Sequence, residues 1–140
     1  MNSFEEGRAY IDDAWIILAE AEESVEKGHF HRAVRKCQES VELALKGLLR
    51  MYGVEYPKRH LFASILQRSP LVQLVDPDEL NAIIEIADRL AEEREVSFYG
   101  SGQAAASQLF SDADARESIS DGKKVLEFVR RLVPKPAEGR

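Results

Sequence analysis

Arg94 is the residue whose type and position say most about chemistry in this chain. Seven residues separate it from Ala87, and at about 100° per residue a helix returns to within about 20° of its starting line. Arg94 is therefore expected to lie on the line of a buried apolar stripe. Such an arginine can lie along apolar surface and reach water at the end of a bundle. It can also present a guanidinium in a groove between helices, where its planar fork of donors suits a phosphate. Tyr99 follows five residues later, before Gly100. Its ring can stack on a base or cap the core, and capping is the commoner use.

The remaining reactive types point to less. His29 and His31 flank Phe30 and would face different directions on a helix, unlike an i, i+4 chelating pair. Cys37 belongs to an apolar stripe, so no metal site is expected. His60 precedes a short apolar segment and reads as a capping or buried hydrogen-bonding histidine. Acid–base work would need a partner that the sequence does not show. Tyr99-Gly100-Ser101-Gly102 lacks the preceding strand and the GK[ST] ending of a phosphate loop. Lys46-Gly47 sits inside a helical pattern, where a glycine costs about 1 kcal/mol relative to alanine and allows close approach of another helix. The scattered serines include no nucleophile elbow.

These residues must be positioned by the chain around them. At 140 residues it is expected to be one domain. With 44% hydrophobic and 31% charged residues it is too apolar for a disordered chain and too charged for a membrane protein. No apolar run reaches the ~18 residues of a bilayer-spanning helix. Met1 to Arg8 is polar and acidic, so no secretory leader is expected. The lone Cys37 cannot form an internal disulfide, which fits a reducing compartment such as the cytoplasm.

The net charge of −6 speaks against nucleic acid as a partner when taken alone. The charges are segregated, however. Residues 29–68 carry eight basic and three acidic groups, whereas residues 1–28 and 69–100 each carry two basic and eight acidic groups. Neighbouring helices of opposite charge can pair with one another, each exposed pair contributing ~0–1 kcal/mol. A local basic strip can also hold phosphate despite the acidic total.

Periodicity predicts helices throughout. The first spans Ser3 to Lys27, with Phe4, Ile11, Trp15, Leu18, Ala19 and Val25 inward, Ser3 and Glu6 as a capping box, and Gly28 as the stop. The second spans His29 to Met51 on a stripe that includes Ala33, Val34, Cys37, Val41, Leu45 and Leu48. Arg32, Arg35, Lys36, Glu39, Lys46 and Arg50 lie on or near its other face. Tyr52 to Lys58 is a loop, and Arg59 to Gln67 a short helix ended by Ser69 and Pro70. Asp76-Pro77 opens the next long helix, which runs to about Phe98. Tyr99 to Ser107 is a loop. Ser111 or Asp112 caps a last helix through about Leu132. No segment alternates with period two. The expected fold is all-α, an antiparallel up-and-down four-helix bundle with one additional short helix, over residues 1–133, followed by a flexible tail at 134–140.

The run from His29 to Leu49, with its Glu42-Leu43-Ala44-Leu45-Lys46 core, then Gly53, Pro57 and His60-Leu61, resembles the HEPN domain (higher eukaryotes and prokaryotes nucleotide-binding). The segments Ala91 to Gly100 and Ser111 to Ala115 are similar to the same family, and the likeness covers roughly Arg8 to Arg131. The resemblance implies a helical bundle that forms homodimers, binds nucleotide or RNA, and partners a minimal nucleotidyltransferase in toxin–antitoxin-like gene pairs. Active members are metal-independent RNases, with an arginine followed after four to six residues by a histidine. Arg94 matches the arginine, but the window Glu95 to Ser101 holds no histidine, and Tyr99 stands at its first permitted position. The sequence thus favours a binding module using Arg94, Tyr99, Arg35, Lys46 and His60, with no metal or cofactor. The alternatives are an RNase pairing Arg94 with a different acid–base group, Tyr99 or His60 brought close by folding, and a helical protein–protein scaffold.

Overall fold

A computed structural model describes residues 2–102 and 104–135. Four long helices account for most of them: α1 (Ser3–Glu26), α2 (Phe30–Met51), α3 (Pro77–Tyr99) and α4 (Asp112–Leu132). No strand occurs among the described residues. The expected all-α bundle is the observed fold. Helix α2 is its centre, packing against α1, α3 and α4. Its inner stripe, from Ala33 through Cys37, Val41 and Leu45 to Leu48, is fully buried.

Helix ends follow local chemistry. Asn2, not Ser3, caps α1: its side chain accepts from the Glu5 N–H, and Glu5 reaches back to the Asn2 N–H. The capping box is thus one residue earlier than expected, because Asn2 is the residue with extended backbone. Asp76 caps α3 ahead of Pro77, and Ser111 caps α4 in a box with Asp114, both as expected. Ala19 is exposed on α1, and Ala14 and Ala21 fill the buried positions instead.

The short helix expected at Arg59 to Gln67 is replaced by two 3-10 turns, Ala63–Arg68 and Pro70–Gln73. Phe62, Ala63, Leu66 and Leu71 are buried there, so side-chain burial shapes this stretch more than helical periodicity does. The segment before it, from Gly53 to Leu61, stays irregular and carries His60. A third 3-10 turn, Ala106–Gln108, interrupts the expected 99–107 loop, and Tyr99 belongs to α3. Residues 136–140 of the expected tail lie outside the described residues.

Two glycines set the α1–α2 crossing. A Cβ on Gly47 would lie 2.7 Å from the Gly7 carbonyl oxygen, and one on Gly7 would collide with the Gly47 carbonyl. The backbones approach as the Lys46-Gly47 pattern predicts. Nearby, the Ser40 hydroxyl donates to the Ala14 carbonyl at 2.7 Å and is satisfied within the core.

Candidate functional site

One ridge of α2 supplies most of the site. Arg35, Gln38, Glu42, Lys46 and Arg50 recur at spacings of three and four and share a side of the helix. Glu42 is the hub of this ridge. Its Oε1 accepts from Gln38 Nε2 at 2.6 Å and faces His60 Nδ1 at 2.7 Å, while its Oε2 receives Lys46 Nζ at 2.9 Å. Burial pushes the Glu42 carboxyl up, but the hydrogen bonds and charges of Lys46 and His60 outweigh it and hold the group below its ordinary value.

The segment after α2 delivers His60 to α3. Arg94 Nε lies 2.9 Å from His60 Nε2. Arginine Nε can only donate, so His60 Nε2 accepts and its proton resides on Nδ1, donated to Glu42. Glu42, His60 and Arg94 thus form a directed chain in which the imidazole is neutral and its lone pair points at the arginine. The His60 side chain is 50% exposed. It is a hydrogen-bonding histidine, as expected, but not a buried one.

Phe98 gathers the second set of charges. The guanidinium carbon of Arg94 lies 4.6 Å from its ring centroid and that of Arg35 lies 4.3 Å from it. Both contacts are cation–π stacks. Neither arginine forms an ion pair among the described residues, and the buried Nε of Arg35 has no hydrogen-bond acceptor there. Arg94 is half-buried on this ring, at the end of the seam where the helical arithmetic puts it.

Tyr99 departs from the commoner expectation. It is 79% exposed and does not cap the core. Being one residue beyond Phe98, it points off the bundle, with its ring 5.7 Å from that of Phe98. The following Gly100 has φ of +79°, and a Cβ there would lie 2.7 Å from the Ala106 nitrogen. The chain must reverse at a glycine, which leaves Phe98 and Tyr99 at the rim of the site.

Two grooves meet at His60. One, of about 260 Å³, is lined by Ile17, Gln38, Glu42, Lys46, His60 and Arg94. The other, of about 910 Å³, is lined by Tyr10, Lys46, Arg50, Tyr56, Lys58 and Arg59, with Glu42 and His60 again at its edge. The fold therefore brings together Arg35, Lys46, His60 and Arg94 and leaves Tyr99 on the outer rim. Glu42, Gln38 and Phe98 are the members that the linear pattern did not single out. Glu42 was detectable as the acid four residues before Lys46 on the polar side of α2.

His29 and His31 stand apart from the cluster. His29 precedes α2 without a side-chain cap, and His31 is held below the ordinary histidine value by burial and then by Arg32, Arg35 and His29. Cys37 lies in the core, and burial pushes its thiol up to about 12.

No curated protein and no solved structure matches the chain significantly. A family model does: the HEPN domain, over residues 8–132. That match covers α1 from Arg8 onward, the other three long helices and every residue of the cluster. The chain belongs to the HEPN domain family.

Proposed function

We propose that this chain is a binding module for single-stranded RNA or nucleotide phosphate, held across Arg35, Arg94 and His60. The observation that carries this reading is the contact of Arg94 with His60 beside a second unpaired arginine on Phe98. Two guanidinium groups on one ring, without an acidic partner among the described residues, supply the charge and geometry that a phosphodiester needs. Tyr99, exposed at the rim, can stack on a base. The test is binding of fluorescein-labelled hexauridylate by Arg94→Ala and Arg35→Ala, with thermal melting measured alongside. Each variant is expected to bind at least tenfold more weakly while melting within a few degrees of wild type. Unchanged binding with lost stability would make Arg94 a packing residue.

The Glu42–His60 bond favours a second reading, metal-independent RNA cleavage. A neutral imidazole fixed by a carboxylate is arranged as a general base. A substrate phosphate that draws Arg94 away would expose the His60 Nε2 lone pair. His60 would then take the proton of a ribose 2′-hydroxyl, whose oxygen attacks the adjacent phosphorus. The 5′-oxygen would leave with a proton from water, giving a 2′,3′-cyclic phosphate. Arg94 would hold the charge that builds on the phosphorus oxygens. Incubation with mixed RNA in EDTA tests this: cleavage lost in both His60→Ala and Arg94→Ala supports it, and no cleavage by wild type ends it.

Homodimerisation and pairing with a minimal nucleotidyltransferase belong to the same proposal and rest on family resemblance. Sedimentation of the chain alone, and mixed with the product of an adjacent nucleotidyltransferase gene, checks both.

A further inference from the structure

The larger groove calls for a ligand of its own. Its volume of about 910 Å³ falls within the roughly 300–1,000 Å³ of small-molecule sites, whereas the 260 Å³ groove beside Arg94 is below that range. The two adjoin across a shared ridge, because Glu42, Leu43, Lys46 and His60 line both. A chain held at Arg94 and His60 would reach the larger space by crossing this ridge.

The lining has a definite chemistry. Four cations, Lys46, Arg50, Lys58 and Arg59, face two carboxylates, Glu42 and Glu55. Lys58 and Arg59 are exposed and form no ion pair among the described residues. Arg50 is held in place by three groups. Its Nη1 pairs with Glu6 Oε2 at 2.5 Å, its Nε donates to the Tyr56 hydroxyl at 2.8 Å, and its guanidinium lies 4.9 Å from the Tyr10 ring centroid. The Tyr56 oxygen accepts in that bond, so its own proton remains to be donated. The groove therefore offers aromatic rings, surplus positive charge and an oriented hydroxyl donor, a combination that suits a base and its phosphate together.

We propose that the two grooves form one track for single-stranded RNA, in which the phosphate at Arg94 and His60 is continued by a second nucleotide seated against Tyr10, Tyr56, Lys58 and Arg59. The proposal rests on the phosphate-binding reading above and adds a second subsite to it. Glu42 and Glu55 in the lining, and Glu6 on Arg50, interrupt the positive field there, which a flexible single strand accommodates more readily than a rigid duplex.

Fluorescence anisotropy of the full chain with fluorescein-labelled hexauridylate, with UMP as competitor, tests the track. Hexauridylate is expected to bind at least tenfold more tightly than UMP. The double variant Lys58→Ala/Arg59→Ala is expected to weaken hexauridylate about tenfold and to abolish most of the difference between the two probes. Arg94→Ala is expected to weaken both probes. Equal affinity of wild type for hexauridylate and UMP overturns the second subsite while leaving the phosphate site standing. So does a Lys58/Arg59 variant that retains the full difference. A poly-glutamate peptide that displaces hexauridylate at equal concentration overturns the nucleotide assignment in favour of an acidic protein segment. Failure of both nucleotide probes to bind wild type removes the phosphate-binding reading itself.

Discussion

Glu42 carries three donors on two oxygens, and this arrangement decides how the cluster responds to acid. Its carboxyl titrates below the ordinary 4.5, so the folded state favours the ionised form. Stability from this group is complete above the unfolded value and is lost as pH falls through the lower folded one. Glu42→Gln is therefore expected to melt below wild type at pH 7, with the gap closing as the pH drops below about 4; melting curves across that range check it. Cys37 makes a second residue-scale prediction. With its thiol pushed up to about 12 and fully buried, it is expected to resist a disulfide exchange reagent at pH 8 in the native protein and to react promptly in denaturant. Legibility differs sharply at this scale. Arg94 was readable because helical rotation alone puts it on the buried line. Its pairing with His60 was not, because the two are 34 residues apart and His60 sits on irregular backbone whose path no periodicity encodes. Tyr99 had two readings, a core cap or an exposed stacking ring, and the sequence could not separate them because that depends on its neighbour Phe98 taking the inward-facing place on the arginines.

The helices were legible from their stripes and caps, and their boundaries moved by a residue or two. The short helix failed because its two apolar pairs, Leu61-Phe62 and Ile65-Leu66, can bury Phe62 and Leu66 through a 3-10 turn as well as through an α-helix. The Gly7–Gly47 crossing was half legible, since only Gly47 stood out in a helical run. Gly47→Ala would gain up to ~1 kcal/mol of helix propensity. The added methyl group would meet the Gly7 carbonyl at 2.7 Å, and overpacking of this kind costs about 1–3 kcal/mol. With the full propensity gain, a net loss of up to about 2 kcal/mol in urea unfolding is expected. The α3–α4 contact makes the opposite prediction. Burial raises the Glu93 carboxyl; Arg89 opposes the shift, and Asp114, Glu117 and Asp121 add to it. Raised in the folded state, this carboxyl costs stability once ionised, and the cost develops as pH rises above the ordinary 4.5. Glu93→Gln is expected to raise the melting temperature at pH 7 and to lose that advantage near pH 4.

The whole-molecule charge of −6 is compatible with both aspects of its distribution. Pairs such as Lys36–Glu20, Arg50–Glu6 and Lys123–Glu22 join α1 to its neighbours, as segregated charge suggests. Arg35 and Arg94 remain outside that pairing. A confined site of two or three cations predicts a shallow salt dependence. For a single strand the slope of log K against log salt is about −0.7 per phosphate neutralised, so a value between about −1.4 and −2.1 is expected, and Arg94→Ala should reduce its magnitude by about 0.7. Titrations between 50 and 300 mM salt measure this. The shared ring of Phe98 has one more consequence. Two like charges, 4.3 and 4.6 Å from one centroid, are closer than the ~10 Å Debye length and repel by about 0.5–2 kcal/mol. The α2–α3 seam thus carries an unfavourable like-charge pair. An anion bound there, as proposed, would relax that repulsion and tie two helices together, so ligand is expected to act as a reversible brace that raises the melting temperature.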